Sequence, residues 1–332
     1  MNIEVITEFG SDSALVDDNN EIYMDHLSSE AVEGITNALK TAGYKAHIFG
    51  GIPELTLAYA NKKEIDKDAL YFNISNGMTQ PSRRMQAPIL CEMLGLYYSG
   101  SVPTTVGLMN NKYFTKKVVK DIVKVPEGKF IYSQERLKDK LNTINKYPVI
   151  VKPNSEGGSY GIYQSNVVYN NGELLNKTYE LMESYLEVLL EEVIPGTEIT
   201  NLIIGNEGEY LLNEIVVYKT YGKFEHNSLV RDIKIKAENI SEIYPICEYT
   251  NNSEYIDYIK ETSISVFEKL RCNDIARIDY KIDLNGDLVF LEINSNPNLY
   301  AKYINVICKS KNITYPELLS LIIKAACRRY RL

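Results

Sequence analysis

The stretch that decides the fold is RIDYKIDLNGDLVFLEINSNPNLY, residues 277–300. It contains two apolar runs on either side of Asn285-Gly286, a dipeptide typical of a two-residue β-hairpin turn. If these are the two turn residues, Leu284 pairs with Asp287. The sequence therefore predicts an antiparallel hairpin whose register can be counted back from the turn.

This register brings two carboxylates together. It sets Asp279 opposite Glu292 and Arg277 opposite Asn294, and carboxylates that face each other across a ladder repel. A cation between them removes the repulsion, and two carboxylates with an amide oxygen are ligands that suit Mg²⁺ when it shares its shell with phosphates. The alternative is a strand end whose charges are turned to water. The hairpin therefore predicts either a magnesium site or a solvated strand end.

The polar residues continue past the second apolar run at every second position. Glu292, Asn294, Asn296 and Asn298 would share one face of an extended strand, because side chains alternate between the two faces. We expect this face to be a polar shelf.

Composition sets broad limits on function. The chain has 332 residues, of which 45% are hydrophobic and 24% charged, as is usual for globular proteins. A formal net charge of −8 argues against non-specific nucleic-acid binding.

The five cysteines are scattered without a CxxC pair, and we expect free thiols. The N-terminus does not resemble a signal peptide, and no 18-residue apolar run occurs. We expect a cytoplasmic protein with neither nucleic acid nor membrane as a partner.

Strand and helix patterns alternate along the chain, which predicts an α/β fold. The N-terminal part reads as a βαβ unit with strands at 2–7, 44–50 and 70–75 and helices at 29–42 and 88–96. Further on, we expect one helix at 110–121, a strand at 161–165 and an irregular polar connection at 219–246. We predict three domains, 1–101, 102–194 and 195–332, packed together because no Gly/Ser linker separates them.

A second stretch could bring phosphates to the predicted magnesium site. The chain has no GxxxxGK[ST] motif, but VIVKPNSEGGSYGI at 149–162 delivers Lys152 at the end of a strand, followed by glycines 157, 158 and 161. Glycines allow backbone N–H groups to approach phosphate oxygens closely. The alternative is a glycine-rich hairpin with a surface lysine. A further lysine, Lys112, lies in MNNKYFTK, and VLLEEVIPGTE places Glu191 and Glu198 on either side of a Pro-Gly turn.

Taken together, these motifs resemble one family. The ordered set GS…NNK, VKPNSEGGSYGI, VLLEEVIPGTE, RIDYKID and LEINSNPN looks like the ATP-grasp superfamily, and within it the D-alanine–D-alanine ligase branch. The resemblance covers nearly the whole chain. It implies an α/β ATP-grasp fold in which an N-terminal domain precedes two subdomains that clasp ATP. It also implies an ATP-dependent ligase that joins a small-molecule carboxylate to an amine through an acyl phosphate, uses two Mg²⁺ ions that Mn²⁺ can replace, and forms a homodimer.

The resemblance also implies a role for each matching position. Phosphate contacts would come from Lys112, Lys152 and the loop 156–161, which contains Glu156, Gly157, Gly158 and Ser159. Glu191 would accept from the adenine amino group, backbone near Glu192 and Ile194 would contact the base, and Glu198 would hold the ribose. The metal ligands would be Asp279, Glu292 and Asn294. Arg277 and the backbone N–H of Asn298 would stabilise the oxyanion.

The amino-acid pockets of that branch are not reproduced. Gly158 stands where those ligases have a serine, and Tyr303 stands where a serine receives the acceptor carboxylate. Glu8 is the nearest counterpart of their glutamate after the first strand, and Lys234 is selected by its spacing from Pro245. We therefore expect a ligase of the same mechanism with different substrates, for example a dipeptide or specialised-metabolite ligase. The alternatives are an authentic D-alanine–D-alanine ligase, an enzyme that phosphorylates a carboxylate without ligation, and a nucleotide-binding protein without turnover.

Overall fold

The computed structural model describes residues 1–8, 26–61, 65–78, 82–135 and 137–332. Its strands are β1 (Asn2–Ile6), β2 (Lys45–Gly50), β3 (Leu70–Asn73), β4 (Tyr97–Tyr98), β5 (Gly128–Ile131), β6 (Val149–Pro153), β7 (Val167–Val168), β8 (Val188–Glu192), β9 (Gly196–Asn206), β10 (Glu209–Thr220), β11 (Glu225–His226), β12 (Ser241–Pro245), β13 (Asp274–Asp283) and β14 (Leu288–Asn294). Its helices are α1 (Ser29–Thr41), α2 (Ile52–Ala60), α3 (Gln86–Leu94), α4 (Pro103–Asn110), α5 (Lys112–Val119), α6 (Leu137–Leu141), α7 (Asn171–Ser184), α8 (Ile233–Ala237), α9 (Ser253–Lys269), α10 (Lys302–Lys311) and α11 (Tyr315–Tyr330).

The described strands form three sheets. The first is parallel, in the order β2-β1-β3-β4, the second is β5-β8-β6-β7, and the third is β12-β10-β9-β13-β14 with β11 beside β9. This mixture of a parallel sheet with two antiparallel ones and covering helices agrees with the α/β prediction. The three sheets lie within 1–101, 102–194 and 195–332, although α4 and α5 contribute Met109 and Val119 to the core of the third sheet.

Three helices lie between the first and third sheets. Helix α11 contacts α1 and β3 on one side and β9, β10 and β13 on the other, while α10 packs on β10 and β12. Helix α1 shows how the sequence produces this layer. Ser28 caps it by accepting from the N–H of Ala31, and its buried face repeats at helical spacing with Val32, Ile35 and Leu39. The first and third sheets therefore share one hydrophobic core.

No helix in the described ranges is both long and apolar enough to span a bilayer.

The structure corrects three of the predicted elements. The helix expected at 110–121 is the shorter α5, and a helix that was not predicted, α4, precedes it. Asn111 separates the two, because it is extended (φ −97°, ψ 99°) and caps α5 by accepting from the N–H of Phe114. Residues 161–165 form no strand, and a 3₁₀ turn at Gln164–Asn166 leads into β7 instead. The connection 219–246 is more regular than expected, since it contains the end of β10 and all of β11, α8 and β12.

The decisive hairpin has the predicted site pairs but a different turn. Asp279 lies opposite Glu292 and Arg277 opposite Asn294, so both predicted pairs are confirmed. The turn spans Asp283–Asp287, with Gly286 in the left-handed region (φ +85°), and does not consist of two residues. This shifts the register near the turn by one residue.

A β-bulge restores the predicted register further along the hairpin. Ile282 pairs with Leu288 and Tyr280 with Phe290, whereas Asp279 pairs with Glu292. Leu291 is therefore the extra residue on β14, which offsets the longer turn. The strand then ends at Asn294, so the predicted extended shelf through Asn298 is wrong.

Candidate functional site

Two neighbouring cavities lie in the cleft between the subdomains. The smaller cavity measures about 120 Å³. Its walls are formed by β6, β8, β13 and β14, by the segment before α8, and by the loop 156–161, hereafter the phosphate loop because it is predicted to contact phosphates. Predicted site residues among its lining are Lys152, Ser159, Glu191, Glu192, Ile194, Glu198, Asp279 and Glu292. The larger cavity measures about 430 Å³, and its lining includes Gly158, Arg277, Asn294, Asn298 and Tyr303. Arg231 and Lys236 line both cavities, so the two spaces meet there.

Glu191 binds two lysines, of which Lys152 lines the smaller cavity with it and Lys116 lies behind them, outside the lining. Its Oε2 lies 2.6 Å from Lys152 Nζ, and its Oε1 lies 2.6 Å from Lys116 Nζ. Lys152 is the last residue but one of β6, which lies beside β8 with Ile150 paired to Glu191. Burial opposes ionisation of Glu191, but the charges of Lys116 and Lys152 lower its pKa. Burial also lowers the pKa of Lys116 to about 7.

Lys116 is a functional candidate that the sequence prediction missed. It follows Lys112 by four residues on α5, and positions i and i+4 lie on the same face of a helix. That spacing could have identified Lys116 from the sequence.

Lys112 connects the phosphate loop to the predicted metal site. Its ammonium donates to the carbonyl oxygen of Glu156 and lies 3.4 Å from Glu292 Oε2. The Glu156 carboxylate forms an ion pair with Arg83, which lies between β3 and β4 of the first sheet. The loop is thus fixed at its first residue by two parts of the chain.

The next residues of the phosphate loop have an unusual backbone. Gly158 and Ser159 have φ values of +68° and +72°, both in the left-handed region. A side chain at position 158 would be strained there. Glycine at position 158 therefore matches its local conformation.

Cationic groups of the protein hold the facing carboxylates at the predicted metal site. Arg277 donates to Asp279 through Nε at 3.1 Å and Nη2 at 2.6 Å, and Thr200 donates to the same carboxylate at 2.6 Å. Burial opposes ionisation of Glu292, but Lys112 and Arg277 outweigh it, and its pKa lies well below the ordinary range. Glu292 is therefore held as a carboxylate, the form that binds cations.

The donor set fits a hard divalent cation. Asn294 lies beside the carboxylates, with its Nδ2 3.5 Å from Asp279 Oδ2. Across the residues that the structure describes, no group of three or more His, Cys, Asp or Glu side chains could hold a metal alone. Two carboxylates and an amide suit Mg²⁺, which usually takes one or two carboxylates and completes its shell with waters and substrate phosphates.

Glu198, the predicted ribose ligand, binds an arginine that the sequence prediction missed. Its Oε1 accepts from Arg231 Nε at 2.8 Å and lies 2.7 Å from Nη2. The Arg231 guanidinium also stacks 3.4 Å from the centroid of the Tyr218 ring. Arg231 lies in the connection 219–246, where no sequence motif distinguishes it from other basic residues.

The lysine selected by spacing is not the one in the site. Lys234 points away from both cavities, with 74% of its side chain exposed and its Nζ 3.9 Å from Glu238. Two residues later, Lys236 lines both cavities and donates to the Ser159 hydroxyl. Its enclosure in the cleft and the charge of Arg231 lower the pKa of Lys236 to about 8. The prediction of Lys234 is therefore corrected to Lys236.

The remaining predicted residues lie around the larger cavity. Tyr303 is buried and donates to the carbonyl oxygen of Asn298 at 3.1 Å, while the Arg277 guanidinium lies 5.7 Å from the centroid of its ring. Glu8 is buried behind the wall of this cavity. Its carboxylate accepts from the N–H groups of Ile52 and Gly77, at 3.1 and 3.2 Å, and from the hydroxyl of Ser75 at 2.8 Å.

Comparison with known proteins identifies relatives of this chain. Residues 118–324 match the family model described as D-ala D-ala ligase C-terminus. The chain is 27% identical over 301 residues to the D-alanine–D-alanine ligase of Thermotoga petrophila, which covers 90% of this chain and 92% of that protein.

Solved structures share the fold at lower sequence identity. The D-alanine–D-alanine ligase from Bacillus anthracis complexed with ATP matches with a TM-score of 0.70 and 22% identity, covering 100% of this chain and 99% of that one. The VanG D-Ala:D-Ser ligase from Enterococcus faecalis matches with a TM-score of 0.71 and 18% identity, covering 98% and 99%.

Proposed function

Because this chain belongs to the D-alanine–D-alanine ligase family, whose members are ATP-dependent enzymes that form C–N bonds, we propose that it joins a carboxylic acid to an amine through an acyl phosphate. The observation that carries the proposal is the pair Arg277 and Asp279. The two residues lie on one strand and bind each other, yet Arg277 lines the larger cavity and Asp279 the smaller. Nucleotide chemistry in one cavity would therefore take place directly beside a substrate in the other.

Phosphoryl transfer comes first in the proposed reaction. A carboxylate reacts poorly with amines, because its leaving group would be oxide. Transfer of the γ-phosphoryl group of ATP to the carboxylate oxygen gives an acyl phosphate and ADP. Lys152, which lines the smaller cavity, and Lys112, which lies 3.4 Å from Glu292, would supply positive charge to the phosphoryl oxygens, and such neutralisation and positioning account for most catalysis of this type.

Asp279, Glu292 and Asn294 would hold Mg²⁺, two ions by family resemblance. Bound there, Mg²⁺ supplies charge neutralisation for the phosphate oxygens.

Ligation completes the reaction. The amine attacks the acyl carbon, phosphate leaves, and the amine loses a proton to give the amide. Arg277 faces the larger cavity and would stabilise the negative charge on the tetrahedral carbon's oxygen, a contact worth about 2.7–4 kcal/mol in known oxyanion holes. The backbone N–H of Asn298 is our second proposed donor. Water must be kept from the acyl phosphate, and the hydrogen bond between Lys236 and the Ser159 hydroxyl would help to hold α8 and the phosphate loop together over the site.

We further propose that the substrates differ from D-alanine. Gly158 has no hydroxyl, and its left-handed backbone disfavours the serine of the related ligases. Tyr303 occupies the position of their acceptor-binding serine, and Glu8 has its carboxylate satisfied by protein groups. The related D-Ala:D-Ser ligase has the same fold, so the fold alone does not fix the acceptor.

The test is ADP release from Mg²⁺ and ATP with panels of carboxylic acids and amines, followed by product mass. Dependence on both an acid and an amine, with an amide product, is the expected result. Robust turnover on D-alanine alone, with D-alanyl-D-alanine as product, would identify an authentic D-alanine–D-alanine ligase. Dependence on the acid alone would indicate phosphorylation without ligation. ATP binding without ADP release for any pair would indicate a nucleotide-binding protein.

A further inference from the structure

The larger cavity carries an unusual set of charges. Five basic side chains line it, and its described lining contains no aspartate or glutamate. Arg231 and Arg277 are paired with carboxylates that line the smaller cavity, and Lys236 lines both. These three basic groups face the place where phosphoryl transfer would occur. The other two, Arg84 and Lys302, line the larger cavity and not the smaller one.

Lys302 has a neutral partner. As the first residue of α10, it donates to the amide oxygen of Asn239 at 2.7 Å, and the described residues provide no carboxylate within ion-pair distance of it. A basic side chain at a cavity wall with an amide as its partner remains able to bind an anion. Its position follows the cavity residues Asn298 and Tyr300 in the chain.

A substrate ammonium, by contrast, finds no counter-ion in the described lining. Glu8 is the nearest candidate by family resemblance, but it does not line the cavity, and its two oxygens already accept three hydrogen bonds from the protein. An ammonium in the cavity would lie among like charges, which costs binding free energy.

We propose that the acid activated in this cavity is a dicarboxylic acid without an α-ammonium group, and that Lys302 binds its second carboxylate. This inference rests on the proposed function, because it names the substrate class for that reaction. One carboxylate would face Arg277 and the phosphoryl donor, and the other would face Lys302. The cavity volume of about 430 Å³ is in the range of small-molecule sites.

Calorimetry on the full chain with Mg²⁺ and a non-hydrolysable ATP analogue tests the substrate class. The probes are glutarate, butyrate and both enantiomers of glutamate. Glutarate differs from butyrate by a carboxylate and from glutamate by the ammonium. We expect glutarate to bind about tenfold more tightly than butyrate, which lacks one charge-assisted hydrogen bond. We expect a similar preference over glutamate, because its ammonium would lie among the basic groups of the described lining. Equal or tighter binding of butyrate or glutamate, or no binding of glutarate, would overturn the inference.

A pair of variants tests the role of Lys302. Lys302→Gln should weaken glutarate binding about tenfold and leave butyrate binding unchanged. Lys309→Gln, an exposed lysine on the same helix, should change neither. An equal loss for glutarate and butyrate would indicate a structural effect, and no loss for glutarate would remove Lys302 from the site. Either result rejects the assignment.

Turnover separates this inference from the proposed function. ADP release with α-amino acids but not with dicarboxylic acids would leave the ligase function standing and reject the substrate class. Preferential glutarate binding without ADP release, for any acid and amine, would reject the ligase function and support the binding preference of the cavity.

Discussion

The Arg83 guanidinium and the Glu156 carboxylate form a buried ion pair, with Nη2 3.2 Å from Oε2. Arg83 also donates to the carbonyl oxygen of Asn76 at 3.2 Å. The pair connects the segment between β3 and β4 of the first sheet to the first residue of the phosphate loop. Burial raises the pKa of Glu156, although Arg83 and Lys112 oppose that shift. The position of the phosphate loop therefore depends on a charge from another part of the fold.

Loss of this arginine should destabilise the protein strongly. Arg83→Met leaves the buried Glu156 without its principal partner, and removing one member of a buried pair costs about 3–5 kcal/mol. Denaturant unfolding measures the loss. The control is Lys269→Met, which breaks an exposed pair with Asp121 and should cost less than about 1 kcal/mol. Similar losses for the two variants would show that Arg83 does not stabilise the phosphate loop through its charge.

The facing carboxylates should be required for turnover. Asp279→Asn and Glu292→Gln keep the side-chain shape but remove a negative charge that Mg²⁺ would need, so ADP release should be abolished while thermal unfolding stays cooperative. Asp287→Asn, an exposed carboxylate on the same hairpin, is the matched control and should retain activity. Near-wild-type turnover in either site variant would reject the metal assignment.

Substitution of the two lysines of α8 should have very different effects on activity. Lys236 lines both cavities, and Lys236→Met should lower kcat/KM for ATP by about tenfold to a hundredfold through loss of a charge-assisted contact. Lys234→Met changes an exposed residue two positions away and should leave the rate unchanged. Steady-state ADP release measures both. If the Lys234 variant lost the activity and the Lys236 variant kept it, Lys234 and not Lys236 would be the lysine of the site.

Lys116 should make the free energy of unfolding of the ligand-free protein depend on pH. Its pKa is about 7 when folded, mainly because of burial, against 10.5 for the unfolded reference. Between these values the unfolded chain binds more protons, so the contribution of Lys116 to stability rises with pH. Below about pH 7 both states are protonated, and the full cost of burying the ammonium applies.

The measurement compares wild type with Lys116→Met. Over the range from about pH 7 to 10.5, the free energy of unfolding of wild type should rise relative to that of the variant. Lys117→Met, an exposed neighbour on the same helix, should follow the wild-type slope. A difference between wild type and Lys116→Met that stays constant with pH would contradict the lowered pKa.

The hairpin shows which features could be predicted from the sequence and which could not. The pairing of Asp279 with Glu292 was predicted correctly, although the turn was assigned one residue too short and the β-bulge at Leu291 was not foreseen. Two local errors cancelled because the apolar faces of both strands must be buried, which constrains the register more strongly than the turn does.

Residues that meet the site from distant loops were not predictable in this way. Arg231 binds Glu198 across 33 positions, and Arg83 binds Glu156 across 73. Neither arginine stands in a periodic pattern, and their partners are chosen by how the subdomains pack. Lys116, in contrast, could have been predicted, because it follows Lys112 by four residues and so lies on the same face of the helix.

The core shared by the first and third sheets has a consequence for synthesis on the ribosome. It packs Ile3 and Ile35 together with Leu319 and Ile322, residues more than 280 positions further along the chain. At roughly 5–20 residues per second, tens of seconds separate the synthesis of the two ends of this core. Throughout that interval the side of α1 that packs on α11 has no native covering, although β2 can already pack on the helix. The nascent chain therefore presents an apolar surface until α11 has emerged.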